Sequence, residues 1–583
     1  MTLHAENLNA LWASLLVEEL VRNGVTYFCI SPGSRSTPLT VAAARNPKVE
    51  KLICTDERGA GFHALGYGRA TGRPAAVIAT SGTAVANYYP AVVEASMDGV
   101  PLLVLSADRP PELRETGANQ TIRQLGMFAN YLRWQFDFPT PDEKIPPQMV
   151  LTTVDQAVYR MLRSPVGPVH LNFMFREPLA PSPESIGEKY LGGLKTWREN
   201  AKRYTKYSLP RSMPDIEPLE ETIATVKNSK RGLLVVGRLH CLREQYAISR
   251  LAQKLNWPVF ADIASGLRLG NANIIASFDQ LLLSDKFKAA FKPDTILHIG
   301  GRMTSKRFLQ FAEANAGIKY IHIADHPFRH DPAHLVDLRI EADIPAFCDS
   351  ISEHIPNQDK PKNYSPAEQK SRLVENIVAA FLNKNKSISE PAVARIISQN
   401  IPHDHALFLG NSMPIRDMDM YADPGGSRVP VGTNRGASGI DGLVASAAGF
   451  AVGLERPTTL LIGDLAFLHD LNSLALLQKN SQPLVIVLIN NRGGGIFSFL
   501  PIAEFKDVFD YFETPHDLNF KNAADLFKIP YFAPENTDDF THVYRQAVEN
   551  ERTTLIEVRT HKDENIDFHK RLQRQIRTAL EGT

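Results

Sequence analysis

The chain has 583 residues, with 64 basic and 64 acidic side chains and 43% hydrophobic residues. That length exceeds one ordinary core and implies about three or four domains. The balanced charge excludes a global positive field for nucleic acid or an anionic membrane, and no apolar run reaches the length of a membrane-spanning helix.

From the N-terminus, Leu8, Leu11, Leu15, Leu16 and Leu20 recur at helical spacing. With Glu6, Glu18 and Glu19 nearby, they predict a core-packing helix and not a signal peptide. Residues 25–30 read as a strand leading into Ser31-Pro32-Gly33-Ser34-Arg35-Ser36-Thr37-Pro38. Residues 51–55 read as a second strand, ending at Asp56-Glu57-Arg58, with a helix beginning near Gly59. Strands over 75–79 and 102–105 lead into Thr80-Ser81-Gly82-Thr83 and Ser106-Ala107-Asp108-Arg109-Pro110, and Gly117-Ala118-Asn119-Gln120 follows. Ser, Thr, Asp and Gly belong at helix starts as caps, and an acid such as Glu57 complements a helix dipole. Polar loops at several strand ends together also fit a ligand-binding sheet edge. Cys29, Cys54, Cys241 and Cys348 lie far apart with no Cys-x-x-Cys pair, so reduced thiols in a cytoplasm are expected rather than zinc or disulfides.

Residues 181–210 and 355–369, rich in Pro, Lys, Asn and Ser, read as connectors. They leave three α/β blocks, 1–185, 206–355 and 370–583. In the middle block, strands are expected over 233–236, 259–261, 295–299 and 320–323. Gly237, Gly300 and Gly301 do not form a Gly-x-Gly-x-x-Gly loop, which favours a Rossmann-like sheet without a bound dinucleotide. Residues 95–105 parallel residues 477–487: a helix ends, Pro101 or Pro483 opens an apolar strand, and Asp108 or Asn490 follows. Two copies of one α/β unit are the simplest account, chance similarity of buried strands being the alternative.

In the third block, residues 458–462 form an apolar run closed by Gly463-Asp464, and residues 484–489 one closed by Asn490-Asn491-Arg492-Gly493. Phe467, Leu468, Leu471, Leu474 and Leu477 recur between them at helical spacing, giving a strand-helix-strand unit with a right-handed crossover. Both polar tips then emerge beyond the carboxyl ends of one sheet. A carboxylate, an amide oxygen and a glycine carbonyl suit a small hard cation with room for phosphate oxygens. The short pattern alone also describes a buried βαβ unit with polar strand ends.

The segment from Gly463-Asp464 to Asn490-Asn491 resembles the thiamine-diphosphate fingerprint. Longer strings narrow that resemblance: Ser-Pro-Gly-Ser-Arg-Ser-Thr-Pro-Leu at 31–39, Thr-Asp-Glu-Arg at 55–58 and Ser-Ala-Asp-Arg-Pro-Pro-Glu-Leu at 106–113. Gly-Ala-Asn-Gln at 117–120, Asn-Arg-Gly-Ala-Ser-Gly-Ile-Asp-Gly at 434–442 and Gly-Asp-Leu at 463–465 complete the set. Together they resemble the 2-succinyl-5-enolpyruvyl-6-hydroxy-3-cyclohexene-1-carboxylate synthase family of menaquinone biosynthesis. In that subgroup leucine stands where most thiamine enzymes have a third glycine.

The resemblance implies three consecutive α/β domains with mainly parallel sheets: a pyrimidine domain, a middle Rossmann-like domain and a diphosphate domain. It implies thiamine diphosphate with Mg²⁺, or Mn²⁺, held by the Asp464 carboxylate, the Asn491 side chain and the Gly493 carbonyl, with Gly463 and Leu465 beside them. Glu57 would face N1′ of the aminopyrimidine in a dry, apolar setting. Asn119 and Gln120 are further catalytic candidates. Ile440 would wedge the cofactor into its bent form, and Ile496, Phe497 and Leu500 would line the apolar side of the pocket. The family's reaction decarboxylates 2-oxoglutarate and adds the succinyl unit to isochorismate. Each substrate carries two carboxylates, which arginine can neutralise and orient. The substrate-pocket candidates carried over are Ser34, Arg35, Arg109, Asn119, Gln120, Lys306, Arg307, Ser412, Arg416 and Arg435; any single arginine also reads as a solvated surface charge.

A homodimer with shared active sites, further paired into a homotetramer, and a cytoplasmic location are expected. A flap near the site is expected over residues 505–520. The competing readings are a pyruvate-using carboligase resembling acetohydroxyacid synthase, and a catalytically silent scaffold that kept the fold.

Overall fold

A strand covered on both faces has no solvent side, so its sequence is a continuous apolar run. Such runs form the inner strands of three sheets in the computed structural model, which describes residues 6–271, 273–357, 359–361 and 364–582. The first sheet contains β1 (Tyr27–Ile30), β2 (Glu50–Ile53), β3 (Ala75–Ala79), β4 (Leu102–Asp108), β5 (Trp134–Phe138) and β6 (Val169–Met174), in the order β2-β1-β3-β4-β6-β5. The second contains β7 (Gly232–Val236), β8 (Val259–Ala261), β9 (Thr295–Ile299), β10 (Lys319–Ala324) and β11 (Leu338–Glu341), in the order β11-β10-β9-β7-β8. The third contains β12 (Ala406–Leu409), β13 (Val431–Thr433), β14 (Thr458–Gly463), β15 (Leu484–Asn490), β16 (Tyr531–Phe532) and β17 (Thr554–Arg559), in the order β13-β12-β14-β15-β17-β16. The edge strands β2, β5, β11 and β16 are partly exposed. Neighbouring strands pair in parallel in all three. The first and third sheets share one permutation, and β4 and β15, which carry the repeated sequence pattern, hold the same place in it.

The chain divides into two compact units. One comprises residues up to Pro210 together with Asn434–Arg456 and His469–Gln482; the other comprises Arg211–Thr433, Pro457–Leu468 and the residues from Pro483 onward.

In the first unit the predicted helix Leu8–Arg22 is capped by Asn7, whose side chain accepts from the Ala10 amide, and it buries Leu11, Leu15, Leu16 and Leu20. Residues 181–210 are more than a connector. They contain the short helices Glu188–Gly192 and Lys195–Glu199, and Leu194 and Trp197 are buried in the same core as the first helix. Their polar composition hid two large apolar anchors. The helix Glu57–Thr71 packs closely on Leu443–Leu454 through glycines. A Cβ added at Gly66 would sit 2.0 Å from the Ser446 carbonyl oxygen, and one at Gly449 1.9 Å from that of His63.

The helix expected across residues 467–477 is broken. Asp464–His469 and Leu474–Leu477 are helical, separated by a 3₁₀ turn at Leu471–Ser473. Asp470 sits at the break with non-helical φ −111° and ψ 23°, and its buried carboxylate accepts from the Ser473 hydroxyl at 2.6 Å and the Ala445 amide at 2.9 Å. Of the second expected connector, Gln358, Lys362 and Asn363 lie outside the described residues, and the helix Tyr364–Lys384 already begins within it.

Candidate active site

In the second unit, β14 and β15 are paired neighbours with Gly463 opposite Ile489, so Asp464 and Asn491 leave the sheet at the same edge. Asp464 is buried and opens the helix Asp464–His469. Its Oδ1 accepts from the Leu465 amide at 2.7 Å and its Oδ2 from the Gly493 amide at 3.0 Å, which ties the two strand tips together. His516 Nε2 lies 3.3 Å from the same Oδ2. Gly493 has φ 153°, and a Cβ there would stand 2.7 Å from the Glu513 carbonyl oxygen, so glycine is required by space as well as by conformation.

The Asn491 amide nitrogen donates to Glu390 Oε1 at 3.0 Å, while its Oδ1 is shielded from solvent and has no hydrogen-bond partner. Burial raises the pKa of Asp464 and of Glu390, opposed at Glu390 by hydrogen bonds from Asn491 and Thr560. Burial, and then Glu390, holds Asp417 well above the usual carboxylate range. An unpaired amide oxygen among crowded buried acids is the environment an oxygen-seeking divalent cation satisfies. The residues present therefore fit a magnesium diphosphate group.

Around this tip, Ile496 and Phe497 are half-buried and Leu500 is 43% exposed. Were they ordinary core they would be covered, so these apolar side chains line a surface. Residues 505–520 lie over the turn: Gly494 donates to the Glu513 carbonyl at 2.6 Å, and His516 to that of Arg492 at 3.2 Å. Ser412, at φ 70°, precedes the helix Met413–Tyr421, and half-buried Arg416 donates back to its carbonyl at 2.5 Å. Lys306 and Arg307 open the helix Lys306–Glu313; Lys306 is exposed, whereas Arg307 is ion-paired with buried Asp279. Much of the Arg307 charge is thus spent internally.

In the first unit, Glu57 is the first residue of its helix, and the cap is supplied by Asp56, which accepts from the Arg58 amide at 2.9 Å. Glu57 is only half-buried in the single chain, less enclosed than the dry setting expected of it. Arg35 is 7% exposed; it donates to the Phe175 carbonyl at 2.9 Å, and its Nε is unpaired. Burial and then neighbouring Arg109 lower its pKa. Arg109 donates to the Asn119 carbonyl at 2.9 Å, and Gln120, at φ 55°, donates to the Ser81 carbonyl at 3.3 Å. Arg35, Arg109, Asn119 and Gln120 are thereby gathered at the ends of β1, β3 and β4, with Ser34 exposed in the same β1 loop. Ile440 is 42% exposed, again unlike core, and Arg435 is half-buried. Two residues that the sequence did not single out complete the picture. Glu390 holds Asn491, and Glu94 accepts the amides of Gly436 and Ala437 at 2.8 and 2.6 Å beside Arg435. Glu390 reads locally as a first-turn helix acid and Glu94 as a mid-helix one, so neither carries a sequence signal of its role.

Comparison with known families matches the thiamine pyrophosphate enzyme N-terminal TPP binding domain over residues 12–127, the middle domain over 188–409 and the C-terminal TPP binding domain over 433–558. Curated relatives named 2-succinyl-5-enolpyruvyl-6-hydroxy-3-cyclohexene-1-carboxylate synthase align over almost the whole chain. The one from Rubrobacter xylanophilus is 48% identical, covering 97% of this chain and 98% of its own length. Those from Prosthecochloris aestuarii and Salinibacter ruber are each 45% identical, over 99% of this chain and 99% and 98% of theirs. The chain belongs to this synthase family. As a member of it, the protein has the three-domain thiamine-enzyme fold, and the Asp464–Asn491 tip falls in its C-terminal TPP binding domain, Glu57 in its N-terminal one. No helix among the described residues is long and apolar enough to cross a membrane.

Proposed function

We propose that the protein decarboxylates 2-oxoglutarate and adds the resulting succinyl unit to isochorismate, giving 2-succinyl-5-enolpyruvyl-6-hydroxy-3-cyclohexene-1-carboxylate and carbon dioxide in menaquinone biosynthesis. The near full-length identity with synthases of that name carries the reading. Thiamine diphosphate, when bound, supplies the carbon nucleophile and the electron sink for decarboxylation. Asp464, Asn491 and the Gly493 carbonyl would hold Mg²⁺, or Mn²⁺, and with it the diphosphate, with Gly463 and Leu465 shaping the turn. Ile440 would pack against the cofactor when it is bound. Glu57 would hydrogen-bond the aminopyrimidine N1′ of the bound cofactor.

Arg35, Arg109, Arg416 and Arg435, with Lys306 and Arg307, receive the substrate carboxylates, and Ser34, Asn119, Gln120 and Ser412 orient them. Asn119 and Gln120 also stand next to the reacting atoms. Ile496, Phe497 and Leu500 would exclude water from the reacting atoms. The division into domains at 1–185, 206–355 and 370–583 belongs to the same reading. So do a homodimer in which Glu57 of one subunit serves the diphosphate site of the other, its pairing into a tetramer, and a cytoplasmic location.

The test is isochorismate consumption by the purified protein with thiamine diphosphate and Mg²⁺. Consumption that requires 2-oxoglutarate and fails with pyruvate is expected. Equal consumption with pyruvate would overturn the substrate assignment in favour of a pyruvate carboligase.

A further inference from the structure

A primary amide has two faces that differ only in which atom points where. Its oxygen can ligate a cation, and its NH₂ group repels one. A metal ligand of this kind therefore needs a device that fixes its rotation. At Asn491 the device is visible: Nδ2 donates to Glu390 Oε1 at 3.0 Å, and Oδ1 is left shielded and unpaired.

Glu390 is itself held rigidly. It is 4% exposed and opens the helix Glu390–Asn400 behind the N-cap Ser389, with Pro391 next in the first turn. Its Oε1 also accepts from the Thr560 hydroxyl at 3.3 Å, and its amide donates to Asn565 Oδ1 at 3.4 Å. Thr560 is anchored in turn, its amide donating to the Asn490 carbonyl at the end of β15 at 3.0 Å. One strand tip and two helices thus converge on a single carboxyl group, whose Oε1 accepts from both the Asn491 amide and the Thr560 hydroxyl.

We infer that Glu390 is a positioning residue that locks the Asn491 amide with Oδ1 turned toward the divalent cation. The inference rests on the proposed metal site at Asp464, Asn491 and Gly493. Second-layer partners of this kind typically change metal affinity about 10- to 100-fold when removed.

The experiment is Mn²⁺ binding to the full-length protein in the presence of thiamine diphosphate, followed by electron paramagnetic resonance. Glu390→Ala is expected to weaken binding by about 10- to 100-fold. Glu390→Gln, whose carbonyl oxygen can still accept from Nδ2, is expected to retain most of the affinity, which a general loss of packing would not predict. In an Asn491→Ala background, Glu390→Ala is expected to add no further loss, because the two residues act through one contact. Losses that add fully, or unchanged affinity in Glu390→Ala beside a weakened Asn491→Ala, would overturn the inference. Unchanged Mn²⁺ binding in both Asn491→Ala and Asp464→Ala would instead overturn the metal site on which it rests.

Discussion

The indole N–H of Trp197 donates to Glu19 Oε2 at 2.6 Å, fastening the segment after the first sheet to the N-terminal helix. The other carboxylate oxygen accepts from the Tyr204 amide at 2.7 Å, and the Arg22 guanidinium covers the Trp197 ring. Neighbouring Asp155 accepts from the Thr205 amide at 2.6 Å. Burial first, and Asp155 beside it, push the Glu19 pKa up to about 7 from an ordinary 4.5. The folded state therefore holds the Glu19 proton to higher pH than the unfolded chain. Between about pH 4.5 and 7 the folded state binds more protons, so this group's contribution makes stability fall as pH rises through that window and level off above it. The melting temperature of the wild type relative to Glu19→Gln is expected to decline across this window. A difference independent of pH between 4 and 8 would count against the raised Glu19 pKa, and thermal melts in a buffer series measure it.

Glu94 and the loop at residues 434–441 give a second prediction. Glu94 is 3% exposed, accepts two backbone amides from that loop and shares Arg69 with Asp98. Glu94→Ala leaves two amides without their acceptor and removes one of the two carboxylates paired with Arg69, which keeps Asp98. Breaking a buried ion pair by removing one partner costs on the order of 3–5 kcal/mol, so a loss of that size is expected in urea denaturation. Because the loop carries Arg435 and Ile440, turnover of whatever folds should show a raised KM. A variant of normal stability and KM would show that the loop does not need this tether.

The motifs after β1, β3, β4, β14 and β15 were legible because those strands are short, apolar and covered, and turn residues mark where each stops; the edge strand β2 that leads to Glu57 is mostly exposed, and there the Asp56-Glu57-Arg58 turn marked the strand end. The shared permutation of the first and third sheets was legible only as the parallel between residues 95–105 and 477–487. The partners that hold the site together were not. Glu390 is 101 positions from Asn491 and Glu94 is 342 from Gly436, and in both cases the contact is a single hydrogen-bonded carboxylate with no periodicity to betray it. Trp197 was hidden by the polar residues around it. The break at Asp470 was hidden because leucines keep helical spacing on either side of it. Conversely, the exposure of Ile440 and Leu500, which separates them from core, is a property of the fold that residue type alone does not reveal.

The arginines should separate into two classes. Arg307 pairs with Asp279, which is 5% exposed, whereas the Arg109 guanidinium donates to the carbonyl of exposed Asn119. Arg307→Ala strands a buried carboxylate and is expected to lower stability by about 3 kcal/mol or more. Arg109→Ala is expected to change stability by under about 0.5 kcal/mol, the usual range for partly exposed positions, while raising the KM for one substrate at least 10-fold. Urea titrations and steady-state kinetics on the two variants distinguish the classes; equal destabilisation would remove the distinction.

Glu57 gives the sharpest separation of fold from chemistry. Helix starts need an N-cap acceptor, and here Asp56 supplies it to the Arg58 amide, leaving Glu57 half-buried in the first turn. The remaining structural role for its charge is the favourable interaction with the helix N-terminus, worth about 0.3–1 kcal/mol. Glu57→Gln keeps shape and hydrogen-bonding capacity while removing the proton exchange. If the residue is catalytic, the variant should melt within a few degrees of the wild type and bind thiamine diphosphate. Its turnover should fall by about 10²- to 10⁴-fold, the range for losing a positioned acid or base. If Glu57 serves only the helix dipole, turnover should follow the small change in stability and stay near that of the wild type. Turnover and melting temperature measured on one preparation decide between the two roles.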